Sequence, residues 1–407
     1  MGEETVSATV RRILTDVKQQ GADAVRAYTR SLDGIDVPLD ELVYDPFEVA
    51  TTLPPAEIQD AIRRAAEQIR RFHERSRPAG DEVVVEEPGL TLRERWVPIR
   101  RAGIYVPNGA YPLISSLLMT AIPAQCAGVE SLVVAISPRH ESRQHPVWNF
   151  ALRLLDIHTV LGAGGAQAIA ALAYGIKGLP PVDIIAGPGN AYVAQAKQQV
   201  AAAGVVGIDV WAGPSEVAVI ADGGANAAYI AADLLAQAEH GPDASAHLVT
   251  WDQALLATVQ ELVERQRVPA TTMGSIGFKW VSSPEDAINW VNQLAPEHLG
   301  LIGPRAESLA DQVMTAGAVF IGPMASEALG DYVAGPSHVL PTQGTGRFLS
   351  GLSTRTFMRK MSVIEAGAQL DPALLEAGAL LARVEGLEFH RQALTVRQSE
   401  VDTTHRP

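Results

Sequence analysis

From about residue 92 onward, short β-branched runs alternate with alanine-rich stretches of helical length, and no other feature of the chain narrows its fold as far. The runs GIYV, SLVVAI, VDIIAG and IDVWA are separated by candidate helices over 113–128, 145–155, 165–175 and 190–204. A second series follows: EVAVIA, a helix over 224–240, AHLVT, a helix over 252–266, a strand near 275–281, a helix over 283–294, LGLI, a helix over 305–315 and AVFIG. Such alternation predicts βαβ units, in which parallel strands share a sheet with helices on its faces. The expected class is α/β: two Rossmann-like βαβ domains with parallel sheets, plus a mostly helical C-terminal tail.

At 407 residues the chain is longer than a single hydrophobic core sustains, which fits two such layers. The expected boundaries are a Rossmann-like domain over 105–216, a discontinuous α/β domain made of 1–104 and 217–352, and a dimerising tail over 353–407. The N-terminal helices are assigned to the second series. They comprise 5–30, interrupted at Gly21, and an amphipathic stretch after Pro54-Pro55 in which Ile58, Ile62, Ala65, Ile69 and Phe72 recur at helical spacing. The tail is expected to be mostly helical over 372–395.

A net charge of −14 excludes a general nucleic-acid binder and leaves no polybasic patch for a lipid surface. Residues 102–129 carry no charge, but Pro107, Asn108, Gly109, Pro112 and Pro123 cut that run into pieces too short to span a bilayer. The charged N-terminus lacks the apolar core of a signal peptide. Cys126 stands alone, so no internal disulfide forms; it is read as buried filler in a protein of the reducing cytoplasm.

Residues of types that bind zinc occur where a metal site could use them: Gln237 and His240 in LLAQAEHG, Asp331 in LGDYVAGPSHVLP and His390 in EGLEFHRQAL. The first two stand at i, i+3 in a helical stretch and leave the same face. Glu297-His298 joins a carboxylate to an imidazole in what reads as an αβ loop, where both side chains can converge on one pocket and move protons near neutral pH. His338 sits in glycine-rich turn chemistry, whereas His73, His140, His145, His158 and His405 are read as solvent-facing or locally capped. Two glycine-rich segments, GAGGAQAIAALAYG (162–175) and AGPGNAYVAQAK (186–197), each follow a β-branched run and open a helix, so their backbone N–H groups are candidates to meet a phosphate. Neither is G-x-G-x-x-G, and no acidic residue stands about 20 positions on in strand context, so the dinucleotide fingerprint is absent. YVPNGAYP presents Tyr105 on a candidate ligand loop, and AGPSEVAV offers Ser215 as a polar contact rather than a nucleophile. The tail with His390 must fold back on its own chain or reach a second subunit.

The strings YVPNG, PAQCAGV, GGAQAIAALAYG, VDIIAGPGNAYVAQAK, GIDVWAGPSEVAVIAD, DLLAQAEHG, APEHL, GDYVAGPSHVLPT, RFLSGLS and EGLEFHRQAL together resemble the histidinol dehydrogenase family, in its order, from about residue 10 to 396. The resemblance implies oxidation of L-histidinol through an aldehyde to L-histidine with two NAD+, by a homodimer holding one Zn2+ per subunit. It implies Gln237, His240, Asp331 and His390 as zinc ligands, His298 as general base and Glu297 as the residue that activates water. Ser215, His338 and Glu385 are implied as substrate contacts beside the ligands and base, and Tyr105, Gln167 and Asn190 as NAD contacts. Where many members have VPGG this chain has Val106-Pro107-Asn108-Gly109. An NAD-dependent dehydrogenase of another polar amino alcohol or diol stands as the alternative.

Overall fold

The Val- and Ile-rich runs become the parallel strands of two sheets. The computed structural model describes residues 3–108, 111–210, 213–266 and 273–404. Among these, the first sheet orders its parallel strands Val160–Leu161, Ser131–Ile136, Arg101–Val106, Ile184–Ala186 and Gly207–Ile208, with Val43–Tyr44 added antiparallel at one edge. The second runs Ser275–Trp280, Ser245–Thr250, Glu216–Ala221, His298–Ile302 and Ala318–Ile321, all parallel. Numbered along the chain, the parallel strands of both sheets follow the order 3-2-1-4-5, that of a doubly wound sheet without a sixth strand, which leaves a crevice where the order reverses. The α/β class and its parallel sheets are those the alternation predicted.

Contacts divide the chain into two units. One comprises 1–77 and 99–357 and holds both parallel sheets; the other comprises 78–98 and 358–407. These divisions differ from the expected ones in two ways. The N-terminal helices Glu3–Gln20 and Ala22–Asp33 pack on the first sheet, not the second: Val10, Ile13, Leu14, Val17 and Val25 share a core with Ile169, Leu172, Val193 and Val200. An amphipathic stripe states that a face is buried but not which partner covers it. The tail, for its part, is not merely helical. Its strand Met358–Ala366 pairs antiparallel with Leu90–Pro98, which pairs with Asp81–Glu87. Gly89 turns that hairpin at φ +74, and a Cβ there would lie 2.0 Å from the backbone nitrogen of Leu370. The helical stretch of the tail is two helices, Pro372–Val384 and Glu388–Thr404, separated where Gly386 takes φ +73.

Smaller differences have local causes. The expected helix over 305–315 shrinks to Pro304–Glu307 and a 3-10 turn, Ala310–Gln312. His73, expected to be solvent-facing or locally capped, is fully buried on helix Ala56–Ser76 with both ring nitrogens unpartnered, and burial pushes its pKa down to about 4. Charged neighbours on the outer helix face hid it. Cys126 is buried as expected. His405, Gly109 and Trp211 lie outside the described residues. Among those described, no helix is long and apolar enough to cross a membrane.

The crevice of the first sheet is fixed by a buried ion pair. Lys197, on helix Ala191–Ala202, bonds the carboxylate of Asp209, and both side chains are almost fully buried. Lys197 Nζ also donates to the Gly187 carbonyl at 3.0 Å, while the Gly187 N–H donates to Asp209 at 2.7 Å. Gly187 itself passes so close to Tyr105 that a Cβ would fall 2.1 Å from the Tyr105 carbonyl oxygen. Removing one partner of a buried pair leaves the other charge unsolvated. Lys197→Met is therefore expected to destabilise the first unit by about 3–5 kcal/mol, with part recovered in Lys197→Met/Asp209→Leu. Urea unfolding checks this, and a single variant as stable as the parent refutes it.

Candidate active site

Strand Glu216–Ala221 and strand His298–Ile302 lie side by side, with His298 level with Val217, so the residues just before each strand share one edge. Glu297 turns back across that edge, and its Oε2 accepts the Glu216 N–H at 3.0 Å. His298 is therefore the first residue of a strand rather than a loop residue as expected. It is 4% exposed, and its ring tilts against Phe320. Its Nδ1 stands 3.7 Å from Glu297 and 3.8 Å from Glu327 without a hydrogen-bond partner, and its Nε2 lies 4.0 Å from Asp331.

Two helices bring further groups to this edge. Helix Ala227–Ala238 ends here with Gln237 fully buried, both amide atoms lacking a partner, and His240 just beyond. His240 Nδ1 lies 3.2 Å from the Ala236 carbonyl. In the tautomer that donates that bond, Nε2 keeps its lone pair for a ligand. The short helix Glu327–Tyr332, capped by the Ser326 hydroxyl, presents Glu327 and Asp331 at i, i+4 on one face. Ligand atoms of His240, Glu327 and Asp331 all lie within 4.8 Å of one another. His338 Nδ1 bonds the Asp331 carbonyl oxygen at 2.8 Å.

The electrostatics of this edge follow from crowding acids into a dry space. Burial raises Glu327 to about 9, reinforced by Asp331, Glu297 and Asp233. Burial also raises Glu297 to about 8, against hydrogen bonds from the Glu216 N–H and the Ser215 hydroxyl. Asp233, one turn before Gln237, rises to about 6 by burial. His298 is pushed down to about 4, again mainly by burial, and His338 is lowered for the same reason. Carboxylates held together against their own repulsion, an amide with nothing to bond and an imidazole with a free lone pair form an O/N donor set that suits a divalent cation.

Two cavities share Asn190, and the first also adjoins these groups. The first, of about 750 Å³, is lined by Ser215, His240, Gln343 and Asn190. The other, about 470 Å³, lies at the carboxyl end of the first sheet and collects Tyr105, Gln167 and Asn190. At the glycine-rich turns three N–H groups are already engaged within the chain. The Tyr105 hydroxyl accepts the Gly165 N–H at 3.1 Å, and the Asn190 side chain caps its own helix through the N–H groups of Tyr192 and Val193.

Of the residues singled out from the sequence, Ser215, Gln237, His240, Glu297, His298, Asp331 and His338 thus lie at or beside the amino edge of the second sheet. Glu385 and His390 lie in the other unit, on exposed positions of its helical hairpin. Glu327 and Asp233 were overlooked. The signal for Glu327 was present, a Ser cap followed by carboxylates at i, i+4, and Asp233 stands at the same spacing from Gln237.

Comparison with known proteins places these features in context. Residues 1–398 match the family model described as histidinol dehydrogenase. The histidinol dehydrogenase of Gluconobacter oxydans is 42% identical, over 97% of this chain and 93% of the relative. That of Thermus thermophilus is 41% identical, over 97% and 95%. The crystal structure of histidinol dehydrogenase from Elizabethkingia anophelis superposes with a TM-score of 0.89 at 32% identity, covering 97% of this chain and 92% of that one. An acetylating aldehyde dehydrogenase from Geobacillus thermoglucosidasius, 12% identical with a TM-score of 0.53 over 90% and 92%, shares the fold alone.

The raised carboxyls give this site a pH signature. Glu297 and Glu327 bind a proton more tightly folded than unfolded, so their contribution is whole below about pH 4.5 and is lost as pH climbs through about 8 to 9. His298 acts oppositely: its contribution is present above 6.5 and is lost as pH falls through about 4. The metal-free protein should therefore melt lower at about pH 9 than at about pH 6, and Zn2+ should raise its Tm more at the higher pH, because binding displaces protons. Equal Tm shifts at the two pH values would contradict this.

Proposed function

We propose a detailed reaction from one premise: this chain belongs to the histidinol dehydrogenase family. It is an oxidoreductase of histidine biosynthesis that acts on histidinol. Its full course, on our reading, is L-histidinol to L-histidinal to L-histidine with two NAD+ in succession. The observation that carries the metal part of this reading is the Gln237 amide, buried and unbonded one turn from His240 and on the edge where Glu327 and Asp331 gather. When bound, a divalent ion such as Zn2+ anchors the substrate's imidazole and amine nitrogens, and NAD+ takes the hydride. Gln237, His240 and Asp331 would hold that ion, with His390 completing the set.

The chain's own groups do the rest. Burial keeps His298 neutral at working pH, so its Nε2, on the Asp331 side, is free to take the hydroxyl proton of the alcohol. Glu297 binds a proton more strongly than an ordinary carboxylate, which makes its ionised form the better base for drawing a proton from water at the aldehyde stage. Ser215 and His338 contact the substrate from the same edge, and Glu385 contacts its charged groups. Tyr105, Gln167 and Asn190 hold the dinucleotide across the two cavities that share Asn190.

We read the enzyme as a cytoplasmic homodimer. The hairpin carrying Glu385 and His390 exposes Leu381, Val384, Phe389 and Val396, each more than 60% exposed in the single chain. Apolar side chains grouped this way call for a cover, and a second copy of the chain supplies one. Glu385 and His390 would then serve the partner's site.

Incubating the protein with L-histidinol and excess NAD+ should yield about two NADH per histidinol, since each NAD+ takes two electrons. Absence of any turnover with histidinol would favour another polar alcohol. His298→Asn should lower kcat by roughly 100-fold or more with metal content unchanged. Glu297→Gln should spare the first oxidation and slow the second, moving the early NADH yield toward about one per substrate consumed.

A further inference from the structure

The 470 Å³ cavity has one acidic wall that the reaction does not use. Asp33, the last residue of helix Ala22–Asp33, lines it with a side chain only 10% exposed. Its Oδ1 accepts Arg139 Nε at 2.8 Å, and the same guanidinium donates to the Leu32 carbonyl at 3.2 Å. Its Oδ2 is buried and has no partner. Nearby on the same wall, Asn108 commits its amide N–H groups to the carbonyls of Ser137 and Arg139, so its unpartnered Oδ1 is what it retains. Gln167 Oε1 is likewise buried and unbonded.

The wall is therefore chemically one-sided. Its unsatisfied atoms are acceptors, which suit ribose hydroxyls and an exocyclic amine. The one cation among the lining residues, Arg139, is already neutralised by Asp33. In dinucleotide-binding folds an acidic group that accepts from the ribose 2′-hydroxyl selects NAD, whereas an available Arg accommodates the 2′-phosphate of NADP. The sequence lacks that acid at its usual place, about 20 positions after the glycine turn. Asp33 reaches the same cavity from the N-terminal helices, which pack on the first sheet.

We propose that Asp33 sets the cofactor preference of this enzyme, accepting the adenosine ribose hydroxyls of NAD+ and excluding the 2′-phosphate of NADP+. This rests on the reading of the 470 Å³ cavity as the adenosine end of the dinucleotide site. A carboxylate at that position repels a phosphate and also occupies the guanidinium that would otherwise receive it.

The test is initial-rate kinetics with L-histidinol and varied NAD+ or NADP+ on the full-length enzyme and on Asp33→Asn, Asp33→Ala and Asp33→Ala/Arg139→Ala. The single variants should lower the NAD/NADP ratio of kcat/KM by on the order of tenfold or more, with kcat for NAD+ little changed. The double variant should lose the gained use of NADP+, because Arg139 is then absent. A separate control, Thr9→Trp, fills the same cavity from helix Glu3–Gln20 without touching Asp33. If Thr9→Trp leaves KM for NAD+ unchanged, the cavity is not the dinucleotide site, and the reading beneath the proposal falls. If Thr9→Trp raises that KM while both Asp33 variants keep the parental ratio, the proposal on Asp33 alone is overturned.

Discussion

The site depends on acids placed closer together than water-free surroundings tolerate. Glu327 feels Asp331, Glu297 and Asp233 at once, in a position 4% exposed, and His298 stands within about 4 Å of three of these carboxyl groups. Left to itself such a group takes up protons until its charge is tolerable, and this is what the raised pKa values describe. A divalent cation does the same task without neutralising the donors. The buried Gln237 amide, which has no hydrogen-bond partner, and the His240 ring, whose Nδ1 is tethered to the Ala236 carbonyl, would suit that arrangement.

The two sheets repeat one strand order but use opposite edges. In the first, the glycine turns, Tyr105, Gln167 and Asn190 gather at the carboxyl ends, where doubly wound folds keep their ligands. In the second, Ser215 and Glu297 precede their strands, His298 opens one, and Gln237 and His240 lie at the end of a returning helix, so the acids collect at the amino ends. The larger cavity carries Asn190 from one edge and Ser215 and His240 from the other. On the proposed reading a repeated architecture is put to two chemical uses, and a hydride donor and acceptor would face each other where the two edges meet.

The parts legible in the sequence were those governed by local periodicity. Alternating β-branched and alanine-rich runs determined both parallel sheets, and i, i+3 spacing put Gln237 and His240 on one helix face. What long-range packing decides was not legible. The stripe of Val10, Ile13, Leu14 and Val17 could not reveal that its cover is the first sheet's helices, nor could Leu90–Pro98 announce a strand partner at Met358–Ala366. Glu327 was overlooked for a different reason. Attention went to the aspartate at the end of its short helix, although the Ser326 cap and a one-turn interval marked both carboxylates. His73 shows the converse error, since charged flanks describe the outer face of a helix and say nothing of its inner one.

The occupied helix starts above the first sheet bear on cofactor traffic. Gly165, Tyr192 and Val193 already spend their amide protons on Tyr105 and Asn190, so an arriving pyrophosphate gains such a bond only as an internal one is given up. On the proposed reading, a dinucleotide held there gains little from these three amides. If the reaction runs as proposed, one reduced carrier must leave and a fresh oxidised one enter while an aldehyde is held, and tight retention of the first carrier would stall the second half of the cycle.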